Sequence, residues 1–208
     1  LDKVTAKYDN VVVLLNIGGI FDLSWLRRYK NKIGAVLILW QGGMETGNAA
    51  ADILCGKVCP SGKLTDTIAN SIDDYPSSDN FGDKDFTFYK EDIYVGYRYF
   101  ETFAKNKVVY PFGYGLSYTS FDMKKTGAKK TDSGFEFKIK VTNTGEYTGR
   151  QTVGIYLEKP CEPLGEPALI LIAFKKTGDL KPGESETLTL TAGDYALCSY
   201  DDEGVTGY

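Results

Sequence analysis

Residues 93–121 read IYVGYRYFETFAKNKVVYPFGYGLSYTSF. Six tyrosines, four phenylalanines and three glycines fall in this stretch, with one proline in Tyr110-Pro111-Phe112. A linker would be polar, and an amphipathic helix would carry a 3.6-residue apolar stripe; the segment shows neither pattern. Glycines interleaved with large rings predict a rigid aromatic plug, in which backbone passes beneath ring faces. Composition changes sharply on both sides, so the stretch reads as a clamp between two domains.

Upstream of it the pattern is strand–helix. Val11-Val12-Val13-Leu14-Leu15 is the kind of run expected of a strand buried on both faces. A short helix from Asp22 carries Arg27, Arg28 and Lys30 towards its end, where they favour the helix dipole. Ala35 to Trp40 reads as a second buried strand, Asn48 to Cys55 as a helix stopped by Gly56, and Leu64 to Ile68 as a third, shorter strand. Strand–helix alternation predicts a parallel sheet with right-handed crossovers. Three strands make a small sheet with an open edge, so this α/β domain is expected to be incomplete, with earlier strands missing. Residues 70–92 form a long irregular stretch of Asp, Ser and aromatic residues, of the kind that is functional or wraps another domain.

Downstream, from about Ser117, the period changes to two. Phe135, Phe137, Ile139 and Val141 alternate with polar residues, as do Val153, Ile155 and Leu157. Ala168 to Phe174 and the run around Leu188 and Leu190 add strands, and Asn143-Thr144-Gly145 and Lys181-Pro182-Gly183-Glu184 read as turns. Short strands at this spacing indicate an antiparallel β-sandwich, here short of one strand at its end. The fold class is therefore α/β plus all-β. The division expected is residues 1–116, including the long loop and the aromatic seam, and 117–208 for the sandwich.

Composition bounds the chemistry. With 208 residues, 42% apolar and 25% charged, the chain is ordinary for a globular protein. No apolar run approaches the ~20 residues of a membrane span. The net charge of −4 and the lack of a basic block disfavour a nucleic-acid partner. There is no histidine, which removes Ser-His-Asp triads, Cys-His nucleophiles and histidine zinc sites. Cys55 and Cys59, with Cys161 and Cys198 apart from them, do not make a metal-ligand spacing. Reduced structural thiols are the simpler reading and lean towards a bacterial cytoplasm; a disulfide or redox pair is the alternative. No metal or cofactor is implied.

Few motifs carry chemistry. Gly62-Lys63 lacks the upstream glycine and the following Ser/Thr of a phosphate loop. Gln41-Gly42-Gly43-Met44-Glu45-Thr46-Gly47 sits where a parallel strand ends and a helix begins, the place where ligand crevices form in open α/β sheets. Gln41, Glu45 and Asn48 could hydrogen-bond hydroxyl groups there. The competing and stronger reading is structural: glycines for a tight turn, with Glu45 or Thr46 capping the helix. Trp25 and Trp40 could stack on sugars but read better as packing. The Asp73-Asp74 and Asp201-Asp202-Glu203 runs read as solvated loops.

Together these motifs resemble the C-terminal part of family 3 glycoside hydrolases, the β-glucosidase and β-xylosidase family. The matching pieces are VVVLLNIGG, VLILWQGGMETGNAAADILCGKVCPSGKLTDT, EDIYVGYRYFE, VVYPFGYGLSYTSF and the late LKPGESETLTL. The resemblance covers nearly all of the chain and implies the end of an α/β sandwich domain followed by a fibronectin type III-like domain. The family's retaining mechanism uses an aspartate on a (β/α)8 barrel and a glutamate acid/base on a loop upstream of the strand matching Val11 to Leu15. A barrel needs ~250 residues, and retaining chemistry needs two carboxyls about 5 to 5.5 Å apart. No catalytic residue is therefore carried onto this chain, and Glu45 lies in the wrong motif. Gly19-Ile20-Phe21 replaces the family's frequent proline, a variant that resembles the subgroup with the barrel after the sandwich domains. The implied partners are the missing barrel, the rest of the α/β domain and a β-linked sugar; a non-catalytic carbohydrate-binding or interaction module is the alternative.

Overall fold

The computed structural model describes residues 1–159 and 165–199. Cys161, the Asp201–Glu203 run and the strand expected near the end lie outside the described residues.

The amino-terminal half is α/β. Strands β1 (Val12–Leu15) and β2 (Ala35–Ile38) pair in parallel, with Val12 opposite Ala35 and Leu15 opposite Ile38. The crossover between them contains a 3₁₀ turn, Ser24–Tyr29. Asp22 starts that turn by accepting the Ser24 N–H at 2.7 Å, and Tyr29 ties its end down by donating to Asp2 at 2.8 Å. Asp2 belongs to a one-turn helix, α1 (Asp2–Thr5). After β2, helix α2 (Thr46–Leu54) ends against Gly56, close to the expected span.

Two expectations fail here. Val12 and Leu14 are exposed, so β1 is not buried on both faces; among the described residues nothing covers its outer face. The third strand does not join the parallel pair. Residues 64–69 run antiparallel to the end of the aromatic stretch instead, with β3 (Ile68–Ala69) against β4 (Val108–Tyr110) and Leu64 bonded to Tyr114 and Gly113 at 2.7 and 2.8 Å. The return of the aromatic stretch brings unpaired backbone and rings to this run, so Ile68 and Ala69 bury there.

The aromatic stretch itself contains a helix, α3 (Tyr97–Phe103), which the sequence reading excluded. Gly96 precedes it at φ +59°, a left-handed conformation that a side chain would resist. No single stripe is visible because the helix carries rings on several sides, with Phe100 buried, Tyr97 and Tyr99 half-buried and Phe103 exposed. Phe100, 1% exposed, points into the α/β half and meets Tyr75 edge-on at 5.2 Å. Tyr97 turns the other way, stacking on Phe112 at 4.6 Å and approaching Tyr156 at 6.3 Å.

The carboxy-terminal half is the expected antiparallel sandwich. One sheet holds β5 (Phe121–Thr131), β6 (Gly134–Asn143) and β9 (Ser185–Gly193); the other holds β7 (Thr152–Glu158) and β8 (Leu169–Lys176). Ile139, Val141, Val153, Leu180, Leu188 and Leu190 form its core, and the period-two reading had named all of them except Leu180. The reading did not single out β5. Its sequence, FDMKKTGAKKT, is mostly polar and exposed, and it is a strand because its backbone pairs with β6.

Asn143 is fully buried at the corner of the sandwich. Its amide donates to Tyr147 and Leu180 carbonyls at 2.8 and 2.7 Å and accepts from Thr119 and the Gly145 N–H at 2.7 and 3.1 Å. A residue read as part of a turn thus pins three loops together.

Phe100→Ala is expected to cost about 3 to 5 kcal/mol of folding stability, because the cavity opens between packed rings. Asn143→Ala is expected to cost about 3 kcal/mol by stranding buried polar partners. Denaturant unfolding of the two variants beside the parent chain measures both.

Candidate functional site

The carboxyl ends of β1 and β2 open into two glycine-containing loops, Asn16–Gly19 and Gln41–Gly43. They approach closely: a Cβ built on Gly18 would stand 2.7 Å from the side-chain nitrogen of Gln41, the movable end of an exposed side chain. Trp40, half-buried at the end of β2, has φ +54°, which is rare for so bulky a side chain. Such backbone costs about 1 to 3 kcal/mol and tends to occur where a loop must be aimed.

The three candidate residues are all exposed, and two of them meet. Asn48 donates its amide to the Glu45 carboxylate at 2.6 Å, one turn into α2. Gln41 stands apart from this pair, against Gly18. The capping expectation fails: Glu45 occupies the N-cap position without a side-chain cap bond, and Thr46 donates its hydroxyl to the Gly43 carbonyl at 2.6 Å. The site therefore offers amides, a carboxylate and loop backbone to a polar ligand. Trp25 is half-buried and meets Tyr29 edge-on, as packing requires.

Other motifs are used structurally. Lys63 of the rejected phosphate-loop reading donates to the Gly115 carbonyl at 2.6 Å, joining the Pro60–Lys63 turn to the aromatic stretch. Burial depresses its pKa, and the nearby Lys176 charge adds to the effect. Asp73 and Asp74 are not a simple solvated run. Ser71 and Asp74 cap a 3₁₀ turn reciprocally, and Asp74 pairs with Lys107 at 2.6 Å. Arg27 donates to Asn70, so the crossover after β1 is linked to the residue that follows β3.

The sequence reading missed Asp66 and Thr67. Burial alone pushes the Asp66 carboxyl above its ordinary value of 3.8, and among the described residues no hydrogen bond or cation engages it. Thr67 is 1% exposed, with its hydroxyl unpartnered among the described residues. The backbone carbonyl of Thr67 accepts from Tyr75, whose own hydroxyl accepts the Ala69 N–H. The signal for both residues is their burial, which no local pattern reports. No cluster of three or more His, Cys, Asp or Glu suited to a metal occurs among the described residues, and no helix there is long and apolar enough to cross a membrane.

Comparison with known proteins covers both halves. Residues 1–118 match the glycosyl hydrolase family 3 C-terminal domain, and residues 151–206 match the fibronectin type III-like domain. The chain is 47% identical to a beta-glucosidase of Ruminococcus albus over 207 residues, which is 100% of this chain and 22% of that protein. It is 45% identical to beta-glucosidase A of Butyrivibrio fibrisolvens, covering 97% of this chain and 26% of that one. A crystal structure of a beta-glucosidase from Paenibacillus barengoltzii superimposes with a TM-score of 0.91 at 51% identity, over 97% of this chain and 22% of that one. The chain thus spans about a quarter or less of the length of these proteins.

The Asp66 carboxyl yields a pH-dependent expectation. A raised folded-state pKa means the ionised form is disfavoured on folding, so the group subtracts stability near neutral pH and nothing below its ordinary value. Asp66→Asn is expected to raise the thermal midpoint near neutral pH, with the gain vanishing below pH 3.8. A lower midpoint near neutrality would show that the carboxylate has a stabilising partner.

Proposed function

This chain belongs to glycoside hydrolase family 3, and we propose that it is the α/β-and-sandwich part of a larger retaining β-glucosidase-like hydrolase acting on terminal β-linked sugars. The observation that carries the proposal is the 47% identity to a beta-glucosidase over the whole chain, through both halves in order. Here the chain supplies scaffold, and the reacting carboxylates come from elsewhere in the enzyme. Its two units are residues 1–116 and 117–208. Its partners are the catalytic barrel and the remainder of the α/β domain; the exposed Val12 and Leu14 on the open face of β1 support the second.

Gln41, Glu45 and Asn48 stand at the carboxyl edge of the parallel strands and are proposed to bind substrate in the assembled site, where this part of the chain walls the aglycone side. Free thiols at Cys55, Cys59 and Cys198 support a reducing compartment such as a bacterial cytoplasm.

The purified chain is expected to leave an aryl β-glucoside uncleaved above a control preparation. A chimera of the Ruminococcus albus enzyme, with its corresponding segment replaced by this chain, is expected to cleave it. Hydrolysis by the chain alone, or an inert chimera that folds, overturns the proposal.

A further inference from the structure

The outer face of the three-stranded sheet carries charge that the sandwich does not use. Ile139, Val141, Leu188 and Leu190 fill the core, so the alternate residues Lys138, Lys140, Thr187 and Thr189 stand on the opposite side, all exposed. The strand register sets them in rows. Lys124 of β5 lies opposite Lys140, which lies opposite Thr187; Gly127 lies opposite Lys138, which lies opposite Thr189; Lys129 lies opposite Glu136, which lies opposite Thr191. Lys129 pairs with Glu136 at 3.2 Å, and among the described residues no ion pair engages Lys124, Lys138 or Lys140. Asp122, opposite Thr142, is the other carboxylate in these rows. Positive charge is in excess on this face, in a chain whose net charge is −4.

Lysines on an edge strand keep other strands from adding to it, and a bulge does the same. That accounts for the lysines of β5, an edge strand with a register shift between Lys125 and Gly127. It does not account for Lys138 and Lys140. Their strand, β6, lies at the centre of the sheet and has no free edge to guard. Like charges directly opposite each other destabilise a sheet, and Lys124 with Lys140 is such a pair. An anion lying across the pair removes that repulsion.

The geometry selects the kind of anion. Lys138 and Lys140 are alternate residues of one strand, so their stems stand about 6.8 Å apart, and an extended peptide with a carboxylate at every second residue repeats at the same spacing. Phosphates of duplex DNA repeat at about 3.4 Å along each strand. The face also holds no aromatic ring on which a base or a sugar could stack. Beside the lysines, Thr187, Thr189 and Thr191 form a row of exposed hydroxyls with no side-chain hydrogen bond among the described residues, whereas Thr142 and Ser185 bond each other at 2.8 Å.

We propose that this face binds an extended acidic segment of another polypeptide. Carboxylates at alternate residues of that segment pair with Lys138, Lys140 and Lys124, and its backbone carbonyls accept from the threonine hydroxyls. Exposed ion pairs contribute about 1.5- to 5-fold each in affinity and are screened by salt, so the complex is weak and salt-sensitive. The surface is separate from the β1–β2 loops, and the scaffold role does not depend on it.

Fluorescence anisotropy of a labelled peptide of alternating glutamate and threonine, titrated with the full chain at low ionic strength, tests the proposal. Saturable binding is expected, lost progressively as salt is added and weakened about tenfold by Lys138→Glu with Lys140→Glu. Both side chains are exposed, so the thermal midpoint of that double variant is expected to be no lower than the parent's. Lys125→Glu with Lys130→Glu makes the same change of net charge on the other side of β5, opposite Ile139 and Phe135, and is expected to leave affinity within about twofold. A peptide of the same composition with its glutamates in one block is expected to bind more weakly. Absence of saturable binding by the folded chain overturns the proposal, as does an equal loss in the Lys125 and Lys130 variant or equal binding of the two peptides. Tighter binding of an oligouronate or a single-stranded oligonucleotide than of the alternating peptide also overturns it. So does self-association that Lys138→Glu with Lys140→Glu abolishes, seen by sedimentation without peptide binding.

Discussion

Tyr97 and Thr102 of α3 accept the backbone N–H groups of Leu171 and Ala168, at 2.8 and 3.0 Å, along one edge of β8. Strand edges present unpaired donors, and a donor shielded from water without an acceptor costs about 1 to 3 kcal/mol. The helix that supplies those acceptors is therefore tied to the sandwich. On its other side Phe100 packs with Ala69, Ala104 and Tyr75 in the core of the first half. Tyr94 adds a hydroxyl bond to the Gly165 carbonyl. One short helix thus serves two units at once, and the strand that returns after it gives residues 64–69 their backbone partners.

Away from that seam, the end of the parallel strands is built differently. It has little buried apolar surface and much constrained backbone: glycine loops in contact, a left-handed Trp40, and a carboxylate–amide pair at the start of α2. Strands that end in open polar loops leave those polar groups accessible at that end. Burial raises the pKa of the Asp66 carboxyl, and the Thr67 hydroxyl is buried without a partner among the described residues.

Legibility in the sequence followed periodicity. β6, β7 and β9 alternate apolar and polar residues and were readable, as was β8 from its apolar run and β1, β2 and α2 from their apolar runs and flanking glycines. β5 was not singled out, since its side chains are polar and its strand character comes from pairing with β6. α3 was not readable either, since rings on several sides erase the stripe by which a helix is recognised. At the site, the placement of Gln41, Glu45 and Asn48 at a strand end was legible from the glycine turn. Their partners were not: Glu45 takes the Asn48 amide in place of a cap, and Gln41 leans on a glycine more than twenty positions earlier. Asn143, read only as a turn residue, became the hub of a buried hydrogen-bond corner.

By itself the sequence determined the class of each half, the order of the two halves, and membership in a hydrolase family, because local hydrophobic period and short motifs survive without knowledge of contacts. The tertiary structure alone decided which strand pairs with 64–69, that the aromatic stretch contains a helix, and which polar groups are stranded by burial. Those outcomes depend on backbone donors and acceptors meeting across long sequence separations, and on rings competing for the same buried space. No local pattern encodes either one.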